Sequence, residues 1–133
     1  MINLRQVVLK DNRPINLDLT KFKFPLAAIA SIFHRISGVL LFLLLPVMLW
    51  LLDQSLRSAD HFLVLKALIT QNLWMKLLIW GLISCMFYHL VAGIRHLLMD
   101  LGFWATTRLA YVTTLVMLSV FLVLAVLTGV WLW

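Results

Sequence analysis

Glutamate is absent from the 133 residues, and the five acids are all aspartates: Asp11, Asp18, Asp53, Asp60 and Asp100. Catalysis by paired glutamates is thereby excluded. A single cysteine, Cys85, rules out both a disulfide framework and a cysteine-rich metal site. The five glycines form no phosphate-cradling loop, and neither an HExxH helix nor a Ser/His/Asp arrangement occurs. Charge is scarce too: 12% of residues carry it, against about 25% in ordinary soluble domains. These absences remove most self-contained enzymes. What is present is hydrocarbon, with 64% apolar residues where a soluble domain has about 45 to 50%. A net charge of +6 would suggest nucleic acid in a soluble chain. Here the basic residues flank apolar runs, where anionic lipid and the positive-inside rule account for them, and no nucleic-acid partner is expected.

Cutting the sequence at its charges leaves uncharged runs Ile36 to Leu52, Leu77 to Ile94 and Leu109 to Trp133, of 17, 18 and 25 residues. A membrane helix needs roughly 17 to 25. The first helix is expected to begin at Pro25, since proline suits a first turn and the following LAAIASIF contains no breaker. The predicted fold is an all-α membrane protein with three transmembrane helices, over about 25–52, 73–98 and 108–133, in a single domain spanning 25–133. Pro46 removes one backbone bond and predicts a modest kink that a membrane bundle tolerates. The stretch FLVLKALI, between Asp53 and Asn72, is too short to span and reads as an interfacial helix or loop packing.

Eight basic residues lie on one side of these spans: Arg5, Lys10, Arg13, Lys21, Lys23, Arg35, Arg95 and Arg108. Three lie on the other, Arg57, Lys66 and Lys76. That bias predicts a cytoplasmic N-terminus and a periplasmic C-terminus. Trp50, Trp74, Trp131 and Trp133 then fall at the outer ends of the spans, as an interfacial aromatic belt requires. Residues 1–24 carry five basic groups without the apolar core or cleavage site of a secretory signal, and read as a cytoplasmic arm. They lack the character of an organelle transit peptide, so the expected location is a bacterial inner membrane, crossed several times.

Polar residues at membrane depth are costly unless paired or used. His89 stands out, six residues and so roughly 9 Å deeper than the boundary charge Arg95. Two readings are open for it: a hydrogen-bonding residue between helices, or a ligand to a metal or haem iron. His96 and Asp100 continue the same helical face, and for the boundary residues His96 and Arg95 snorkelling to headgroups or pairing with Asp100 is the simpler account. Cys85, one turn before His89, reads as packing, and His61 in the outer loop has no evident partner.

A second constellation opens the first span. Ser31, His34 and Arg35 follow the i, i+3, i+4 spacing that brings side chains to one side of a turn, and Gly38 extends that face and permits close approach. Such a pocket suits an amphiphile with carbonyl oxygens: Ser31 can donate to a carbonyl and Arg35 can stabilise negative charge developing on it. The alternative is that Arg35 anchors at the interface and Ser31 bonds back to its own helix. Arg35 and Arg95 mark the same boundary, so the pocket and the tail of the second span lie at one depth with His89 below. A haem ligated by His89 could aim its propionates at His34, Arg35 or Arg95.

Two stretches then become familiar. RPINLDLTKFKFPLAAIASIFHRIS, Arg13 to Ser37, and HLVAGIRHLLMDLG, His89 to Gly102, resemble the two signatures of the cytochrome b membrane-anchor subunits of succinate dehydrogenase, complex II. The first carries SxxHRxS at Ser31, His34, Arg35 and Ser37; the second carries HxxxGxRHxxxDxG at His89, Gly93, Arg95, His96, Asp100 and Gly102. The resemblance implies that His89 is one axial ligand of haem b, the other coming from a second small membrane-anchor subunit. No other histidine of this chain is expected at comparable depth, which agrees with a shared haem. It implies further that Ser31 and Arg35 line a ubiquinone site beside the iron-sulfur subunit, and that His34 and Arg35 lie near the propionates, with Arg95 a further candidate. The chain would not itself dehydrogenate succinate, since flavin oxidation and the iron-sulfur relay need a nucleotide fold and many cysteines. Those steps would belong to the flavoprotein and iron-sulfur partners, with electrons passing from the iron-sulfur subunit to ubiquinone. Two other readings are a fumarate reductase anchor working in reverse, and a small non-redox membrane protein.

Overall fold

The computed structural model describes residues 23–104 and 106–133, so the 1–24 arm lies almost wholly outside the described residues. Four helices follow in order: α1 (Leu26–Arg57), α2 (Ala59–Gln71), α3 (Leu73–Asp100) and α4 (Thr107–Leu132). Among the described residues there is no strand. Three of the helices, α1, α3 and α4, are long and apolar enough to cross a membrane. At 32, 28 and 26 residues they run about 48, 42 and 39 Å, beyond the roughly 30 Å of hydrocarbon a bilayer presents.

α1 starts where the sequence places it, with Pro25 as its N-cap, and continues unbroken through Pro46. It outruns the expected end at residue 52 by more than a turn. The extra turn carries an exposed Arg57–Asp53 ion pair at 2.6 Å, four residues apart on one face. The apolar stretch after it forms α2. Ser58 caps that helix by accepting from the His61 backbone N–H at 3.2 Å, and its hydroxyl also meets His61 Nδ1 at 2.9 Å. His61 therefore has a partner that its place in the sequence did not disclose.

α3 ends in a Schellman motif. The Gly102 N–H bonds the Met99 carbonyl at 2.9 Å and the Phe103 N–H bonds Leu98 at 3.1 Å, with Gly102 in the left-handed region at φ 88°. The last glycine of the second signature is thus a helix stop.

α3 is the central helix, packed along α4 and α1, while α1 and α4 touch more lightly. Small and polar side chains make these seams, as lipid-embedded bundles require. Ala92, Ala30 and Met117 form the buried apolar cluster. The Trp80 indole N–H donates to the Ala125 carbonyl at 2.9 Å, and Thr114, fully buried, donates to its own helix at Ala110. At the far end Lys76 Nζ sits 5.6 Å from the Trp133 ring centroid. Trp74, Trp131 and Trp133 are exposed at that end, opposite the α3–α4 turn.

Candidate functional site

The polar constellations of α1 and α3 meet in the α1–α3 seam. His34 and Ser37 lie one turn apart on α1, and the close approach of Gly38 brings α3 against them. A Cβ on Gly38 would stand 2.9 Å from His89 Cε1, so the imidazole occupies space that only glycine leaves open. Gly93 on α3 does the same in reverse, since a Cβ there would lie 3.3 Å from His34 Nε2.

The His34 and His89 rings stack, with centroids 4.3 Å apart and planes 16° from parallel. His96 leans on the other side of His34, centroids 5.1 Å apart and tilted by 40°. The expectation of no second histidine at the depth of His89 is therefore corrected: a helix-to-helix register sets His34 between His89 and His96. His96 packs against this ring, and among the described residues it makes no close ion pair with Asp100.

The hydrogen bonds around His89 determine which ring nitrogen holds the proton. Ser37 is buried and its hydroxyl donates to the His34 carbonyl at 2.7 Å. Its oxygen is then an acceptor toward His89 Nδ1 at 3.0 Å, and the His34 carbonyl is a second acceptor at 3.2 Å from the same nitrogen. Two acceptors require a proton on Nδ1, which leaves the lone pair of the neutral ring on Nε2. Nothing among the described residues bonds to Nε2. Tyr88, one position earlier on α3, closes the seam by donating to the Ala30 carbonyl at 2.9 Å.

This arrangement fits an imidazole-ligated iron. A histidine ligand characteristically donates its second N–H to a carbonyl or other acceptor while the free nitrogen binds metal. Next to it, His34 Nε2 is buried without a hydrogen-bond partner, suited to a polar group from outside the chain. No group of three His, Cys or Asp side chains that could hold a metal ion occurs among the described residues. A haem would be held by His89 Nε2, with His34 at its polar edge.

The other sequence-derived candidates divide. Ser31 is half-buried and Arg35 exposed at the head of α1, and neither side chain is hydrogen-bonded within the described residues, so both are open to a ligand. Arg95 is not. It is 5% exposed, with Nη2 donating to the Ala110 carbonyl at 3.0 Å and Nε to Thr113 Oγ1 at 3.3 Å, both on α4. It neither snorkels nor faces His34, and this geometry gives no support to Arg95 as a propionate partner. The buried threonines of α4 provide the reason: their helix offers a carbonyl and a hydroxyl where the guanidinium emerges.

Ser37 and Tyr88 are the residues sequence reasoning passed over. Ser37 stands in the first signature and three places after His34, a spacing that signals a shared face; Tyr88 carries no such signal. An apolar groove of about 500 Å³ between α1, α3 and α4 borders the seam at Ser37 and Tyr88 and is lined by Phe33, Leu40, Ser84 and Phe121 among others. Ser31, His34, Arg35 and His89 do not line it, so the amphiphile pocket read from the sequence is not this apolar groove.

Comparison with known proteins gives the family of the chain. The family described as succinate dehydrogenase/fumarate reductase transmembrane subunit matches residues 10–128. A succinate dehydrogenase cytochrome b556 subunit of Coxiella burnetii is 49% identical over 121 residues, covering 91% of this chain and 97% of the relative. One from Paracoccus denitrificans is 33% identical over 120 residues, 90% and 91% of the two chains. A cytochrome b560 subunit of Marchantia polymorpha is 32% identical over 114 residues, 83% of each.

Proposed function

We propose, from the premise that this chain belongs to the succinate dehydrogenase/fumarate reductase transmembrane subunit family, that it binds haem b through His89 and helps form a quinone-reduction site at Ser31 and Arg35. The chain is a multi-pass inner-membrane protein, the cytochrome b anchor of succinate dehydrogenase, and it associates with the iron-sulfur and flavoprotein subunits. The relatives described above are all named for succinate dehydrogenase, which favours succinate oxidation over the reverse reaction and sets aside the non-redox reading.

The observation that carries the haem assignment is the double acceptor at His89 Nδ1, which leaves Nε2 as the free, lone-pair-bearing nitrogen. When bound there, haem b supplies one-electron storage near the quinone. His89 would hold the haem from this chain through Nε2, while the His34 ring is stacked face to face on it. A second small anchor subunit would supply the other ligand. His34 Nε2, buried and unpartnered, and Arg35 are suited to hold the propionates.

Reduction of ubiquinone to quinol takes two electrons, delivered from the iron-sulfur subunit, and two protons. Ser31 donates a hydrogen bond to a quinone carbonyl, and the Arg35 guanidinium stabilises negative charge as it grows on that oxygen. Both residues lie at the N-terminal end of α1, the same end of the bundle as the α3–α4 turn. With the basic residues concentrated at that end, it faces the cytoplasm and draws its protons from there.

The test is the reduced-minus-oxidised spectrum of the complex carrying His89→Leu. Loss of the b-type α band is expected; an unchanged spectrum removes His89 as the ligand.

A further inference from the structure

From the packing around His89 we infer that Ser37 and Gly38 form a socket that sets the tautomer and rotation of its imidazole, and that Ser37 is a positioning residue for the haem iron. The inference rests on the proposed ligand role of His89 and deepens it.

Three sides of the ring are held by α1. His34 covers one face at 4.3 Å, the bare Cα of Gly38 lies against the Cε1 edge, and Ser37 with the His34 carbonyl receives Nδ1–H. Ser37 does two things with one hydroxyl. Its proton goes to the His34 carbonyl at 2.7 Å, which locks the rotor, and the locked oxygen presents its lone pair to Nδ1 at 3.0 Å. The residue is 5% exposed, so both of these bonds lie inside the seam. An unlocked hydroxyl could instead donate to Nδ1, which would move the imidazole proton to Nε2 and block coordination. The carbonyl that locks Ser37 belongs to His34, so the same turn of α1 stacks on the ring, directs its proton and leaves it room.

An acceptor on the far N–H of an iron-bound imidazole also increases the electron density that the ligand donates and favours the oxidised metal. Removal of Ser37 Oγ therefore shifts the haem midpoint potential upward, and weakens haem retention by about tenfold, the lower end of the usual effect of losing such a partner. Gly38→Ala perturbs the socket without touching a hydrogen-bonding atom: the new Cβ, 2.9 Å from Cε1, forces the ring to turn.

The experiment uses the assembled complex, with co-purification of the iron-sulfur subunit as the control for assembly. Ser37→Ala, Ser37→Thr, Gly38→Ala and His89→Leu are compared by haem content, redox titration of the α band and the low-spin ferric EPR signal. Expected are an upward potential shift and about tenfold weaker haem retention in Ser37→Ala, recovery of both in Ser37→Thr, a displaced EPR signal in Gly38→Ala, and no α band in His89→Leu. If Ser37→Ala does not assemble, Gly38→Ala decides by the same EPR readout. Wild-type potential and EPR signal in the assembled Ser37 and Gly38 variants, alongside a His89→Leu complex that has lost its haem, would overturn the socket and leave the ligand standing. A His89→Leu complex with its spectrum intact would overturn both.

Discussion

His34 of α1 lies flat on His89 of α3, their centroids 4.3 Å apart and their planes 16° from parallel. The contact joins the two signature segments into one site, because each carries the ring that shapes the other's surroundings. A stacked aromatic pair contributes about 0.5 to 1.5 kcal/mol beyond its buried area. His34→Ala is expected to lower the unfolding temperature of the complex and to broaden the EPR signal of the haem, since one face of the ligand loses its support. Thermal denaturation followed at the Soret band, with EPR on the same sample, checks this.

Arg35 and Ser31 separate quinone chemistry from succinate chemistry. Neither side chain is hydrogen-bonded to another described residue. Arg35→Leu is expected to lower quinone reduction by about 10²- to 10³-fold, the usual effect of losing a donor to a developing oxyanion. Succinate oxidation with a soluble artificial acceptor should remain near wild type. Ser31→Ala, missing one neutral hydrogen bond of about 1 kcal/mol, is expected to raise the KM for quinone about fivefold. If both activities fall together in Arg35→Leu, the residue serves assembly instead.

Arg95 should behave in the opposite way. Its two hydrogen bonds to Ala110 and Thr113 tie α3 to α4 in a buried seam, and bonds to charged groups are worth about 1.5 to 3 kcal/mol each. Arg95→Leu is expected to reduce the yield and thermal stability of the complex while leaving the haem potential of the assembled fraction unchanged. A potential shift without loss of stability would return Arg95 to the haem edge.

Gly102→Ala tests whether the glycine closing the second signature serves the fold alone. With φ at 88° and open space around its Cα, the residue is held only by backbone conformation. A cost of about 1 kcal/mol is expected, read as a small fall in unfolding temperature with haem and quinone kinetics unaltered.

The differing fates of Arg95 and His89 show what a sequence of this kind discloses. Span number and approximate limits were legible because bilayer thickness and charge exclusion act on each helix separately, and His89 was legible because a polar group far from a boundary charge is costly whatever its neighbours. The stacking of His34 on His89 was not, since it depends on the relative height and rotation of two helices, which Gly38 and Gly93 permit and neither segment determines alone. Arg95 was misread for the same reason: a boundary arginine snorkels by default, and only the α4 register shows that Ala110 and Thr113 stand within reach. His61 found its partner in Ser58, three residues away, only once α2 had formed. Ser37 was visible as a motif letter, but its role required the tertiary contact with Nδ1.

The most direct measurement is a density map of the assembled complex, fine enough to orient the His89 ring. The account predicts iron on Nε2, with Nδ1 turned toward Ser37 and the opposite coordination site filled by a histidine of the second anchor subunit. Iron ligated without His89, or a His89 ring surrounded by hydrocarbon with no porphyrin beside it, would contradict it.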